Sequence, residues 1–262
     1  MTENEILLYE RRGDVVWLTM NRPEVRNALS RELVTALHQA IDRSAADSEA
    51  RAIVLAGAGT VFCAGADVNQ YREAGDRQVV MDDGGRLYDL LEAMTVCRKP
   101  VIARVQKAAF GGAFGLLCGA DLVVAADDTR FSLSEARLGL VPAVIGTAVV
   151  RAIGPRHARA TMMLSEPFGV EQALKIDLIQ EAVPAAELDT VVERWLSQIR
   201  AGAPGALGDA KRLLSNVTSP DLSGDEIRQR ALEMAGDRRA DPEGQEGMRA
   251  FIEKHRPNWN PE

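Results

Sequence analysis

Apolar and polar positions along this 262-residue chain switch repeatedly between two periods. The stretch EILLYERRGDVVWLTMN (5–21) holds two β-rich runs around Arg12-Gly13-Asp14, which predicts a hairpin. In SRELVTALHQAIDRS (30–44), Leu33, Val34, Leu37 and Ile41 fall on one helical face, with Ser30 placed to cap it. RAIVLAG (51–57) is a short apolar run ended by glycine and predicts a buried strand. RLYDLLEAMTVC (86–97) spaces Leu87, Leu90, Leu91 and Met94 as a helix that Pro100 stops, and VIARV (101–105) is the next strand. A helix over 113–119 and a strand LVVA (122–125) follow. Strands alternating with helices predict parallel β/α units.

After residue 142 the pattern becomes almost wholly helical, from AVVRAIGPRHARATMML through DEIRQRALEMA. The expectation is an α/β core followed by helices that pack back on it or on a neighbour. Residues 72–85, REAGDRQVVMDDGG, are polar and glycine-ended, and are expected to form the most mobile segment. There is no internal repeat and no low-complexity linker.

Composition narrows the function classes. The hydrophobic fraction of 46% supports a sizeable core. A net charge of -7 without clustered Lys/Arg argues against a nucleic-acid partner. Cys63, Cys97 and Cys118 are odd in number and lack CxxC spacing, so they read as buried thiols of a reducing compartment. His38, His157 and His255 lie far apart, and no metal site is expected. MTENEILLYE has no apolar stretch, so no signal peptide is expected; no apolar run is long enough for a membrane span, and the expected location is cytoplasmic.

Candidate chemistry starts at AAFGGAFGLLCGADLVVA (108–125). Gly111 and Gly112 stand between a strand and a short buried helix, where missing Cβ atoms leave backbone N–H groups at the helix start free to face a ligand. Those groups carry the positive end of the helix dipole and suit an oxyanion. Taken alone, a glycine pair more often marks close packing of helix on strand. A second small-residue turn, Ala64-Gly65-Ala66 in GTVFCAGADVNQY (59–71), changes this balance, because two such turns can supply the two donors of an oxyanion hole.

These stretches resemble the crotonase superfamily, the enoyl-CoA hydratases and isomerases. The matching pieces are NRPEVRNALS (21–30), VFCAGADV (61–68), KPVIARVQKAAFGGAFGL (99–116), CGADLVVAADDTRF (118–131), LSEARLGLVP (133–142) and the tail EGMRAFIEKHRPNW (246–259), in family order. The resemblance implies a crotonase-like spiral of ββα turns over about 1–200 and a C-terminal helical region over 201–262, assembled as a homotrimer or a dimer of trimers. It implies an acyl-CoA thioester as substrate, with coenzyme A entering as part of that substrate and no separate cofactor. The backbone N–H groups of Ala66 and Gly112 would bind the thioester oxygen. Arg26, Ala28, Leu29, Ala64, Asp67 and Val68 match the family's CoA pocket, and Phe251 and Lys254 match positions that approach the CoA from an adjacent chain.

Family hydratases typically carry two glutamates, and here the first position is Gly115, which cannot transfer a proton. The second is Glu135, in LSEARLGL, which is expected to be the general acid/base, with Phe131, Leu133, Ala136 and Leu138 as apolar surroundings that raise its pKa. The bare place at Gly115 is expected to hold a water or a substrate branch. Hydration of an enoyl-CoA is the favoured reading; Δ3,Δ2-type isomerisation, hydrolysis or decarboxylation of a CoA ester, and a non-catalytic acyl-CoA-binding protein are the alternatives. Asp67 is expected to fix its loop or meet the adenine, and Asp121 to be structural. Asp82 and Asp83 could swing in. Arg137 could meet a substrate carboxylate.

Overall fold

The computed structural model describes residues 5–67, 70, 76–219 and 221–260. Strand β1 (Leu7–Arg12) turns at Gly13 and pairs antiparallel with β2 (Val15–Met20), the predicted hairpin. Helix α1 (Arg31–Ala46) starts where expected, with the Ser30 side chain accepting a hydrogen bond from the Leu33 N–H. β3 (Ala52–Gly57), α2 (Arg77–Val96), β4 (Val101–Val105), β5 (Ala108–Phe110), α3 (Gly112–Gly119), β6 (Leu122–Ala126) and β7 (Arg130–Ser132) follow. Next come a single 3-10 turn (Glu135–Leu138), α4 (Gly146–Leu164), α5 (Val170–Lys175) and β8 (Glu181–Val183). Four helices complete the chain: α6 (Leu188–Ala201), α7 (Pro204–Val217), α8 (Gly224–Ala240) and α9 (Pro242–Glu253).

The six-stranded sheet runs β1-β2-β3-β4-β6-β8, and every pairing after the first is parallel. A second, smaller layer repeats beside it. After leaving each central strand the chain adds a short extended piece before its helix. These pieces join by the bridges Leu29↔Ala66 and Cys63↔Ala109, by the parallel pair β5–β7, and by Phe131↔Phe168. Strand, short strand, helix, repeated turn after turn, is the spiral.

Alternation on each strand splits the core in two. Val16, Leu18 and Met20 point to one face with Ile53 and Leu55, where they meet Leu33, Leu37 and Ile41 of α1 and Leu90 and Met94 of α2. Val15 and Trp17 point the other way with Ala52 and Val54, under Leu188, Val191, Val192, Trp195, Leu196 and Ile199 of α6. Because β3 is covered on both faces, it reads as an unbroken apolar run.

One expectation needs correction. Helix α2 begins at Arg77, where the Asp76 carboxylate caps the Gln78 N–H, so residues 77–85 of the segment expected to be mobile are helical. The region after 142 is almost wholly helical as expected, with β8 as a short edge strand along β6. No helix among the described residues is long and apolar enough to cross a membrane.

Candidate active site

The parallel strands end at one edge of the sheet, and the loops beyond them form the candidate site. Here the segment after β2 meets the segment after β3. Leu29 N–H donates to the Gly65 carbonyl at 2.7 Å, and Asp67 N–H donates to the Leu29 carbonyl at 3.1 Å. These bonds use the Gly65 carbonyl and the Asp67 N–H, and the Ala66 N–H is left without an acceptor among the described residues. Gly65 lies against the next turn of the spiral: with φ +99, a Cβ there would come within 2.7 Å of the Phe110 carbonyl oxygen. The turn holding Ala66 and the entry to α3 are therefore in direct contact.

Helix α3 begins with an unusual corner. Gly111, at φ 52 and ψ -121, donates its N–H to the Ser132 carbonyl at 2.9 Å and caps the helix by backbone alone. The first helical residue, Gly112, has no acceptor for its N–H among the described residues, as expected for the first turn of a helix. Gly111 and Gly112 lie one helical turn before Gly115, so this end of α3 carries no side chains of its own at those positions. The Glu135 carboxyl stands over Gly111, with Oε1 3.2 Å from where a Cβ would lie. Leu29 and Leu87 cover Gly112 at 3.0 and 3.3 Å from the corresponding point.

At Gly115 the expectation of an open place fails. A Cβ there would meet Ile145 Cγ2 at 2.6 Å and Leu91 Cδ1 at 3.3 Å. Ile145, only 3% exposed at the entrance to α4, fills the space in which a water or a substrate branch was expected.

Glu135 opens the 3-10 turn, which Gly139 closes; the Leu140 N–H donates to the Glu135 carbonyl at 2.9 Å. Phe131 and Leu133 are buried as expected, whereas Ala136 and Leu138 turn outward, Leu138 being 68% exposed. The side chain is half-buried, and its Oε2 is cut off from solvent without a hydrogen-bond partner. Burial pushes its carboxyl above the usual carboxylate range, against a smaller lowering from its own backbone. A carboxyl so placed holds its proton more readily than a free glutamate and has an oxygen available for exchange.

The structure gathers Arg26, Ala28, Leu29, Ala64 and Asp67 into the same loop cluster: the Ala64 N–H donates to the Arg26 carbonyl at 2.9 Å. Arg26 is exposed, whereas Ala28 and Leu29 are buried. Asp67 fixes its loop, because Arg22 binds its carboxylate at 3.0 Å and the Ala28 carbonyl at 2.7 Å. Val68 lies outside the described residues. Phe251 and Lys254 are not brought to the cluster. Their helix docks near the amino ends of the strands, where Trp259 donates to the Ala201 carbonyl and Arg51, just before β3, donates to the Trp259 carbonyl. Phe251 is left 86% exposed.

Sequence reasoning missed Asn27, a fully buried residue at φ 55. Its amide donates toward the Ala58, Val61 and Phe62 carbonyls at 2.9, 2.8 and 3.1 Å, while its Oδ1 accepts from the Arg22 N–H at 2.9 Å. It pins the loop after β2 to the loop after β3. The available signal was an asparagine, which tolerates the left-handed region, directly before the apolar pair Ala28-Leu29.

The other acids stand apart from the site. Asp83 is held by Arg31 at 2.6 Å, and Asp82 accepts from Gln78 at 2.8 Å. Asp121 is structural, bound to Lys211 and the Val101 N–H, both at 2.7 Å. Arg137 points outward to Glu166 at 3.6 Å. No cluster of His, Cys, Asp and Glu suited to a metal occurs among the described residues. Cys63 and Cys97 are buried and Cys118 partly so; burial pushes the Cys63 thiol up to about 12, which keeps it protonated and unreactive.

A spiral of strand–strand–helix turns with helices at its end is the crotonase fold, and its loop cluster carries two free amides beside one carboxyl. The Enoyl-CoA hydratase/isomerase family model matches residues 10–262, and the chain belongs to that family. It is 33% identical to a protein of Rhodobacter capsulatus named "Probable enoyl-CoA hydratase", with 96% of each chain covered. It is 30% identical to the 2,3-dehydroadipyl-CoA hydratase of Escherichia coli K12, with 97% of this chain and 98% of that protein covered. An enoyl-CoA hydratase structure from Shewanella pealeana superposes with a TM-score of 0.93 at 31% identity, covering 98% of this chain and 97% of that one.

Proposed function

We propose that the chain hydrates an enoyl-CoA thioester using one carboxyl group. The observation that carries this reading is Glu135, whose carboxyl stands over Gly111 at the start of α3, beside the free Gly112 N–H, and whose Oε2 is buried without a partner. The thioester oxygen binds between the Ala66 and Gly112 N–H groups, each lacking another acceptor among the described residues. The Glu135 carboxylate takes a proton from water as the water oxygen bonds to the β-carbon. The electron pair of the double bond moves into the thioester, and the two amides hold the resulting enolate oxygen. Glu135 then returns its proton to the α-carbon, the carbonyl re-forms, and the carboxylate is restored. A single amide donor of this kind is worth about 2.7–4 kcal/mol at a transition state.

The raised pKa of Glu135 suits a group that must both accept and return a proton. Hydration is favoured over isomerisation because the relatives above are named as hydratases. Under this reading, Arg26, Ala28, Leu29, Ala64 and Asp67 line the CoA entrance, and Phe251 and Lys254 reach it from another copy of the chain in a trimer or a dimer of trimers.

The test is a panel of enoyl-CoAs analysed by mass spectrometry. A gain of one water that is lost in Glu135→Gln supports the reading. A product of unchanged mass establishes isomerisation instead. Tight CoA-ester binding without turnover, unaffected by that substitution, establishes a binding protein.

A further inference from the structure

Ile145 ends the connection between β7 and α4 that carries Glu135, and it occupies the one place on α3 where a second catalytic group was expected. A helical side chain covers the turn before its own Cα, so the space belonging to position 115 lies beside Gly111 and Gly112. Ile145 reaches that space from α4, and Leu91 reaches it from α2. Val144, next to Ile145, closes on α2 at Gly84, where a Cβ would meet its Cγ2 at 2.9 Å. Leu29 and Leu87 cover Gly112, and the Glu135 carboxyl covers Gly111. The glycines of this corner thus meet hydrocarbon at Gly112 and Gly115 and a carboxyl only at Gly111.

We propose that Ile145 determines acyl specificity, by ending the acyl site at Gly115 with a branched aliphatic wall. The inference rests on the acyl-CoA reading above and names the substrate class that this site takes: short enoyl thioesters whose substituents beside the reacting carbons are uncharged. A charged group turned toward Gly115 would be buried among Ile145, Leu91, Leu87 and Leu29 with no partner. A longer or branched apolar group would have to displace Ile145.

Direct binding of saturated acyl-CoAs tests this without turnover. Dissociation constants for acetyl-CoA and for longer straight-chain and branched saturated thioesters are measured on the full chain, for wild type, Ile145→Val and Ile145→Ala. Removing carbon atoms from an apolar pocket wall changes discrimination about tenfold or more. Ile145→Ala is therefore expected to improve binding of the larger thioesters relative to acetyl-CoA by about that factor, and Ile145→Val by less in the same direction. A ratio unchanged within about twofold in either folded variant overturns the proposal; if Ile145→Ala does not fold, Ile145→Val decides alone. Failure of the wild-type chain to bind any of these thioesters, with no turnover of enoyl-CoAs, overturns the acyl-CoA reading itself. Retained binding with an unchanged ratio overturns only the role of Ile145.

Discussion

Replacing Glu135 with glutamine separates the chemistry of the site from the stability of the fold, and the two effects run in opposite directions. Glu135 Oε2 is buried without a partner, and its carboxyl is shifted upward mainly by burial. Leaving a buried polar group unsatisfied costs about 1–3 kcal/mol. The side chain is only half-buried, so solvent screening places the cost at the low end, about 1 kcal/mol. An acid whose folded pKa lies above its unfolded one binds its proton more tightly in the fold. Stability is full below the unfolded value and falls as pH rises through the folded one. Glutamine stays neutral and escapes that loss. Glu135→Gln is therefore expected to unfold about 2–4 °C higher than wild type at neutral pH, with the gap closing below the unfolded glutamate value. Enoyl-CoA turnover, in contrast, is expected to fall about 10²–10⁴-fold. Calorimetric melts from pH 4 to 8, beside activity on the same samples, measure both. A lower melting temperature for the variant at neutral pH, or a gap that widens on acidification, refutes the account of Glu135 as an unpaired buried acid.

Other perturbations probe how the loops are held together. Gly65→Ala combines a positive φ with a Cβ 2.7 Å from the Phe110 carbonyl oxygen, whereas Gly13→Ala has positive φ and open space. Urea unfolding is expected to show Gly65→Ala worse by about 1–3 kcal/mol, with activity lost only there. Asn27→Ala strands three carbonyls and one N–H, and is expected to cost about 2–4 kcal/mol by the same assay. Asn27→Asp, which turns an acceptor toward those carbonyls, is expected to be worse. Gly115→Ala collides with Ile145 Cγ2, so its cost and that of Ile145→Ala are expected to combine to less than their sum in a double-mutant cycle.

Much of this fold is legible along the chain because its elements are fixed by local pattern. The β1–β2 hairpin, the cap at Ser30 and the doubly covered strand Ala52–Gly57 each follow from a short stretch of sequence. The start of α2 does not: among residues 77–86 only Gly84 is buried, so no apolar period marks the helix before Leu87. Strand β8 is three half-buried residues held by β6, too short to show alternation. In the site, Glu135 and the two small-residue turns are readable by motif. The Ile145 plug is not, because it depends on where a residue 30 positions further on comes to lie against Gly115. A glycine in sequence reports a missing side chain and says nothing of what fills its place.

The same distinction explains why so few side chains would matter to the chemistry. The Ala66 N–H is free because the bridge to Leu29 runs through the Gly65 carbonyl and the Asp67 N–H, and the Gly112 N–H is free because it opens a helix. Their relative position is set by sheet-like bonds between successive turns of the spiral, Cys63 with Ala109 and Leu29 with Ala66. Donors fixed in this way need no reorganisation when charge develops on the thioester oxygen. Side-chain truncation around the cluster would leave both donors in place, unless it pushes the two layers apart, as at Gly65, or unpins them, as at Asn27. On the proposed mechanism, Glu135 is then the described side chain whose functional group, removed with the backbone undisturbed, takes away a step of the reaction.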